Sequence, residues 1–153
     1  MSDLDRIQRL EDIHAIQRVL VAYGKHLDRR DLPAYAALFA RDGVWDGGFG
    51  AGTGPAEILA MMERMIGGQA NDDPQRNYHL MSSFDVEVDG DTGRAWSRWT
   101  FISLDEQNRP RVHHAGRYDD EFVREDGAWK FKLRKVSGDL PGQPPPSGPL
   151  DPA

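Results

Sequence analysis

The run Tyr-Asp-Asp-Glu-Phe-Val-Arg-Glu-Asp-Gly-Ala-Trp-Lys-Phe-Lys-Leu-Arg at residues 118–134 decides how this chain folds. It reads as two strands joined by Glu125-Asp-Gly127, residues that let a chain reverse on itself. Upstream, Asp89-Gly-Asp-Thr-Gly93 and Asp105-Glu-Gln-Asn108 cut the C-terminal half in the same way. Strands are therefore expected at about 76–88, 95–104, 112–124 and 129–137, following one another as an antiparallel meander.

The N-terminal half is patterned differently. From residue 4 to about residue 27, Ile7, Leu10, Ile13, Ile16, Leu20, Tyr23 and Leu27 recur at helical spacing. Arg6, Arg9, Glu11, Arg18 and Lys25 fall mostly between them, so one face is buried and the other solvated. Asp28-Arg-Arg-Asp31 breaks the helix, and Asp31 can cap a shorter one over 32–39 with Pro33 in its first turn. Arg41-Asp-Gly43 then turns the chain into a short strand around Val44 and Trp45. The glycine-rich run 47–54 has neither a Walker lysine nor a Rossmann acidic partner around it. It is read as a hairpin-like loop into a third helix, with Pro55 in the first turn and Ile58, Leu59, Met62, Met65 and Ile66 as apolar positions.

Three helices followed by a meander describe an α+β domain, a cone-shaped curved antiparallel sheet wrapped around the helices. Such a cone has one open end, which suits a small apolar ligand. The domain is placed at residues 1–140. Residues 141–153 hold six of the ten prolines and are expected to be extended or disordered. Deleting the chain after Gly142 should then leave the melting temperature nearly unchanged.

With 153 residues the chain suffices for one domain. A net charge of −6 argues against nucleic acid or an anionic membrane as partner, since both demand a basic footprint. The absence of cysteine removes disulfides, thiol nucleophiles and cysteine metal sites. The charged start and the lack of a long apolar run suggest a cytoplasmic protein.

Asp28, His79 and Arg134 stand out as groups that could do chemistry. A carboxylate at a helix C-terminus is disfavoured by the dipole and calls for a partner. His79 is one candidate, and Arg29 or Arg30 is the plainer one. Held by a carboxylate, an imidazole becomes a better-aimed proton acceptor near neutral pH. Alternation along 112–123 puts His114, Tyr118 and Phe122 on the cavity side and turns His113 outward. The preceding strand carries Trp96, Arg98, Thr100 and Ile102 on one face and Trp99 and Phe101 on the other. Both faces hold aromatics; Thr100 and Ile102 are assigned to the ligand side. Trp99 and Phe101 are assigned to the outside, where they would be costly to leave bare on a monomer. His14 and His26 read as helix-surface residues, no HxxxH or HExxH occurs, and no metal or other cofactor is expected.

The Asp28 segment, Trp45, Gly54-Pro-Ala-Glu57, Tyr78-His79 and the 118–134 run together resemble the SnoaL-like group of the nuclear-transport-factor-2-like superfamily. Within it the likeness is strongest to the hexachlorocyclohexane dehydrochlorinases, then to the scytalone and bile-acid dehydratases. The resemblance implies a cystatin-like α+β barrel, and it implies roles: His79 as base, Asp28 as its orienter, Arg134 and Trp45 near the leaving group. Tyr23 stands where the dehydrochlorinases carry a lysine, and a tyrosine there is what the bile-acid dehydratase shows. A further aspartate of that dehydratase is replaced by Ile102.

The expected activity is a cofactor-independent lyase removing water from a small cyclic apolar substrate, with halide loss second. The catalytic set is Asp28, His79, Tyr23 and Arg134. The substrate-binding set is Trp45, Thr100, Ile102, His114 and Tyr118. Other readings are a double-bond isomerase, or a non-catalytic small-molecule binding protein or assembly subunit. A homo-oligomer formed through the outer sheet face, trimer ahead of dimer, is implied by the same resemblance.

Overall fold

The computed structural model describes residues 2–48, 50–67 and 77–140. Helix α1 (Asp3–Asp28) starts in a capping box, the Ser2 side chain accepting from the Asp5 N–H while the Asp5 carboxylate takes the Ser2 N–H. It is followed by α2 (Leu32–Ala36), capped by Asp31. Strand β1 (Phe39–Asp46) begins where the second helix was expected to continue. The glycine-rich run contributes a short strand, β2 (Ala51–Thr53), and then α3 (Gly54–Ile66). Gly54 joins them at φ 75°, where a Cβ would lie 2.8 Å from the Arg41 carbonyl oxygen, so only glycine fits without strain.

The four long strands β3 (Asn77–Asp89), β4 (Thr92–Leu104), β5 (Pro110–Glu125) and β6 (Ala128–Leu140) form the expected meander. The sheet runs β2-β1-β6-β5-β4-β3, and β1 joins β6 in parallel. It is curved and unclosed, the α+β form of the cystatin-like fold. The helices fill its inner face: Ile16, Leu20 and Tyr23 of α1, Tyr35 of α2 and Ile58 of α3 pack with Phe39, Phe122 and Phe131. Among the described residues, no helix is long and apolar enough to cross a membrane. The proline-rich tail lies outside the described residues.

Among the register irregularities of the sheet, three β-bulges bear on which side chains near the site face the helices. In β3 the register slips between Ser82 and Asp85, with Ser83 at φ 56°. In β5, His113 and His114 together oppose Phe101, because Ile102 already pairs with Val112. In β6, Lys132 is the extra residue, since Phe122 pairs with Phe131 and Glu121 with Leu133. A bulge shifts alternation by one residue, so every side chain beyond it changes face.

Candidate functional site

Asp28 is the last residue of α1, and its partner is His79 on β3. One carboxylate oxygen lies 2.7 Å from His79 Nδ1, and both oxygens accept the His79 backbone N–H at 3.0 and 3.1 Å. The helix-end carboxylate thus finds compensation across 51 residues of sequence rather than in its neighbours. Both side chains are 16% exposed, so the pair is sheltered yet reachable. With Nδ1–H donating to the carboxylate, the imidazole lone pair is left on Nε2, which has no hydrogen-bond partner among the described residues.

Behind the dyad lies an aromatic cluster. Tyr23 is buried on α1, and its hydroxyl accepts from the Tyr35 hydroxyl at 2.7 Å and from Trp45 Nε1 at 3.0 Å. Its own proton is used by neither bond. Tyr118 packs edge-on to Tyr23 with ring centroids 5.5 Å apart. Burial pushes the Tyr35 and Tyr118 hydroxyls well above the ordinary phenol range, so both stay protonated and neutral.

Arg134 is fully buried under these rings. By alternation it belongs with the solvated Lys130 and Lys132; the bulge at Lys132 turns it inward. Its Nε and Nη2 donate to the two Asp120 oxygens at 2.8 and 2.6 Å. Its guanidinium carbon sits 4.0, 3.8 and 4.3 Å from the ring centroids of Tyr23, Tyr118 and Phe131. Desolvation opposes its charge, yet Asp120 holds it more firmly protonated than a free arginine. Desolvation raises the Asp120 carboxyl above its ordinary range, while the Arg134 guanidinium beside it pulls the other way. The cation is therefore largely neutralised by Asp120, and it touches the face of Tyr23 rather than standing alone as a free charge.

The substrate-binding set is divided by the structure. Trp45 and Tyr118 sit inside, against Tyr23. Thr100 and Ile102 do not share their face: Leu80 and Tyr78, their partners on β3, are half exposed, and His79 pairs instead with Phe101. Trp99 and Phe101, expected outside, are the inward ones. The correction has a physical reason in Gly116: a Cβ there would lie 2.7 Å from the Trp99 indole, so the missing side chain is what lets Trp99 lie across β5. The expected outward turn of His113 is likewise corrected by the bulge, which brings it against Phe101, while His114 beside it is exposed.

Tyr35 and Asp120 were missed. Asp120 had a signal in the sequence, a carboxylate among the inward positions Tyr118 and Phe122, which needed a buried cation as partner. Tyr35 had none, since a tyrosine on a short amphipathic helix is ordinary core. Three surface grooves, of about 900, 600 and 370 Å³, lie elsewhere and take in neither Asp28 nor His79. Residues 68–76, which lead into β3, lie outside the described residues. Among the described residues no three His, Asp or Glu side chains converge as metal ligands.

A family model described as SnoaL-like domain matches residues 8–135. The chain belongs to the SnoaL-like family. Its solved relatives in fold include an NTF2-like protein with a cystatin-like fold from Novosphingobium aromaticivorans, at 23% identity and TM-score 0.77, covering 89% of this chain and 87% of that one. A scytalone dehydratase-like protein from the same organism shares 26% identity with TM-score 0.71, covering 86% of each chain. LinA, an HCH dehydrochlorinase, shares 24% identity with TM-score 0.72 over 99% of this SnoaL-like chain and 100% of its own. No curated protein matches the chain. The family and these neighbours give the SnoaL-like chain a fold of the lyase and isomerase type.

Proposed function

We propose that this SnoaL-like protein is a cofactor-independent lyase that eliminates water from a small cyclic, largely apolar substrate. The observation that carries the reading is the 2.7 Å contact between His79 Nδ1 and Asp28, which leaves Nε2 as the base. Nε2 takes a proton from a substrate carbon, and Asp28 stabilises the imidazolium that forms. The carbon–oxygen bond breaks as the Tyr23 hydroxyl gives its proton to the departing hydroxide. Tyr35 and Trp45 stay hydrogen-bonded to the oxygen left negative, donors already aimed at the developing charge. Return of the proton from His79 to Tyr23 through solvent completes the cycle. Arg134 acts from behind the Tyr23 ring, as a positioning residue held by Asp120.

Loss of halide is the second reading, supported by the likeness to LinA. The two differ in their need for a proton donor, because hydroxide is far more basic than chloride. In a water-eliminating enzyme Tyr23→Phe costs roughly 100-fold in turnover, the usual scale for a general acid. If Tyr23→Phe keeps wild-type turnover on a substrate that Asp28→Asn no longer converts, halide elimination or double-bond isomerisation takes its place. The substrate is sought by soaking crystals with cyclic alcohols, ketones and phenols and looking for density beside Nε2 of His79. Should every member of the panel remain both unbound and unconverted, the lyase reading is lost.

Self-association is also proposed, on different residues from those first expected. Trp99 and Phe101 turn inward, but Tyr78, Leu80 and Val112 are at least half exposed on the outer face. Light scattering at micromolar concentration should give a multiple of the 17.2 kDa chain mass; a monomer mass refutes it.

A further inference from the structure

The ring of Phe101 is bordered by three imidazoles, and only one of them belongs to the dyad. Its centroid lies 4.9 Å from His79, 6.1 Å from His113 and 6.5 Å from His114. Phe101 and His79 are cross-strand partners, so they share the face that Asp28 approaches. His113 joins them through the β5 bulge, which sets two residues opposite one and re-aims the first. Its Nε2 is buried and has no hydrogen-bond partner among the described residues. A buried ring nitrogen without a partner is costly, and at a candidate site it marks a place where a ligand atom or water completes the bond. His114, exposed beside it, is at no such disadvantage.

We propose that His113 is a ligand-binding residue of this site. Its Nε2 accepts from a hydroxyl, or in the tautomer protonated there donates to a carbonyl oxygen, on a flat ring lying against Phe101. The inference rests on reading the His79 face as the ligand site, and it narrows the ligand class to cyclic or aromatic compounds with a second oxygen substituent. That oxygen is distinct from the group lost near His79. One histidine then handles the proton, and the other selects substrates by what they carry at the far end of the ring. A site that hydrogen-bonds one substituent rejects an analogue lacking it, because the buried polar group is left unpaired.

The test compares 2-naphthol with naphthalene, flat probes that differ by one hydroxyl, by calorimetric titration of the full-length protein. Wild type should prefer 2-naphthol. His113→Phe should lower 2-naphthol affinity by about 5-fold, the scale of one neutral hydrogen bond. It should leave naphthalene within 2-fold, and His113→Gln, which keeps a polar group, should retain most of the preference. In wild type, 2-naphthol should shift the ¹⁵N resonance of His113 Nε2, and naphthalene should leave it in place. This second measurement decides the matter if His113→Phe does not fold. Equal losses for both probes, an unmoved His113 resonance, or no binding of either probe overturns the proposal. A selective hydroxyl effect at His113 in a protein that converts no substrate would uphold it while removing the lyase reading, so the two failures remain distinct.

Discussion

Asp28→Asn lowers turnover by about 100-fold or more while leaving the helix content and melting temperature close to those of the parent. Asparagine is nearly isosteric, and its amide oxygen can still accept the His79 backbone N–H that Asp28 now takes at 3.0 to 3.1 Å. What it loses is the charge opposite Nδ1. The amide can present N–H toward the ring, which selects the tautomer protonated on Nε2 and removes the lone pair that does the work. It also cannot stabilise the imidazolium. Steady-state rates on whichever substrate the soaks identify, with circular dichroism as the control for folding, decide the point. Retention of turnover within 3-fold would remove the dyad from the mechanism.

The second large effect is on stability. Asp120→Ala leaves Arg134, fully buried, with a bare charge among three aromatic rings. Breaking one side of a buried ion pair costs about 3 to 5 kcal/mol, against which cation–π contacts of roughly 1 to 2 kcal/mol are too weak to compensate. For a chain of this length that is a drop of roughly 10 °C in melting temperature. Replacing both partners, Asp120→Leu with Arg134→Met, removes the charge along with its partner and should recover most of the loss. Scanning calorimetry on the single and double variants tests this, and a single variant as stable as the double would show that the pair is not coupled as described. The double variant also separates roles. If it is stable and still turns over at the parental rate, Arg134 serves only the fold.

The alternating and helical patterns were readable because each is local. Turn residues at 89–93, 105–108 and 125–127 bound the strands, and the Ile7-to-Leu27 periodicity set α1, each element surviving in the structure within a few residues. The Asp28–His79 pair was legible as a candidate because an uncompensated carboxylate at a helix end asks for a partner. Its choice of His79 over Arg29 or Arg30 was not, since it depends on where β3 crosses the end of α1. Tyr35 escaped notice because its hydrogen bond to Tyr23 joins two helices through a contact that neither helix's pattern announces.

The amino-acid order alone determined the class of fold, the strand boundaries, the burial of one face of α1 and the few groups able to exchange protons. These follow from near-neighbour sterics and from the two periodicities of side-chain direction. Facing was decided only in three dimensions, where strand pairing inserted bulges at Ser83, His113 and Lys132. Because side chains alternate with a period of two, one extra residue reverses every position after it. Trp99 lies inside because Gly116, on another strand, leaves room for it. Arg134 is a buried partner of Asp120 and not a surface cation because the Lys132 bulge turns it inward, and the bulge at His113 carries that imidazole to the side of His79 for the same reason.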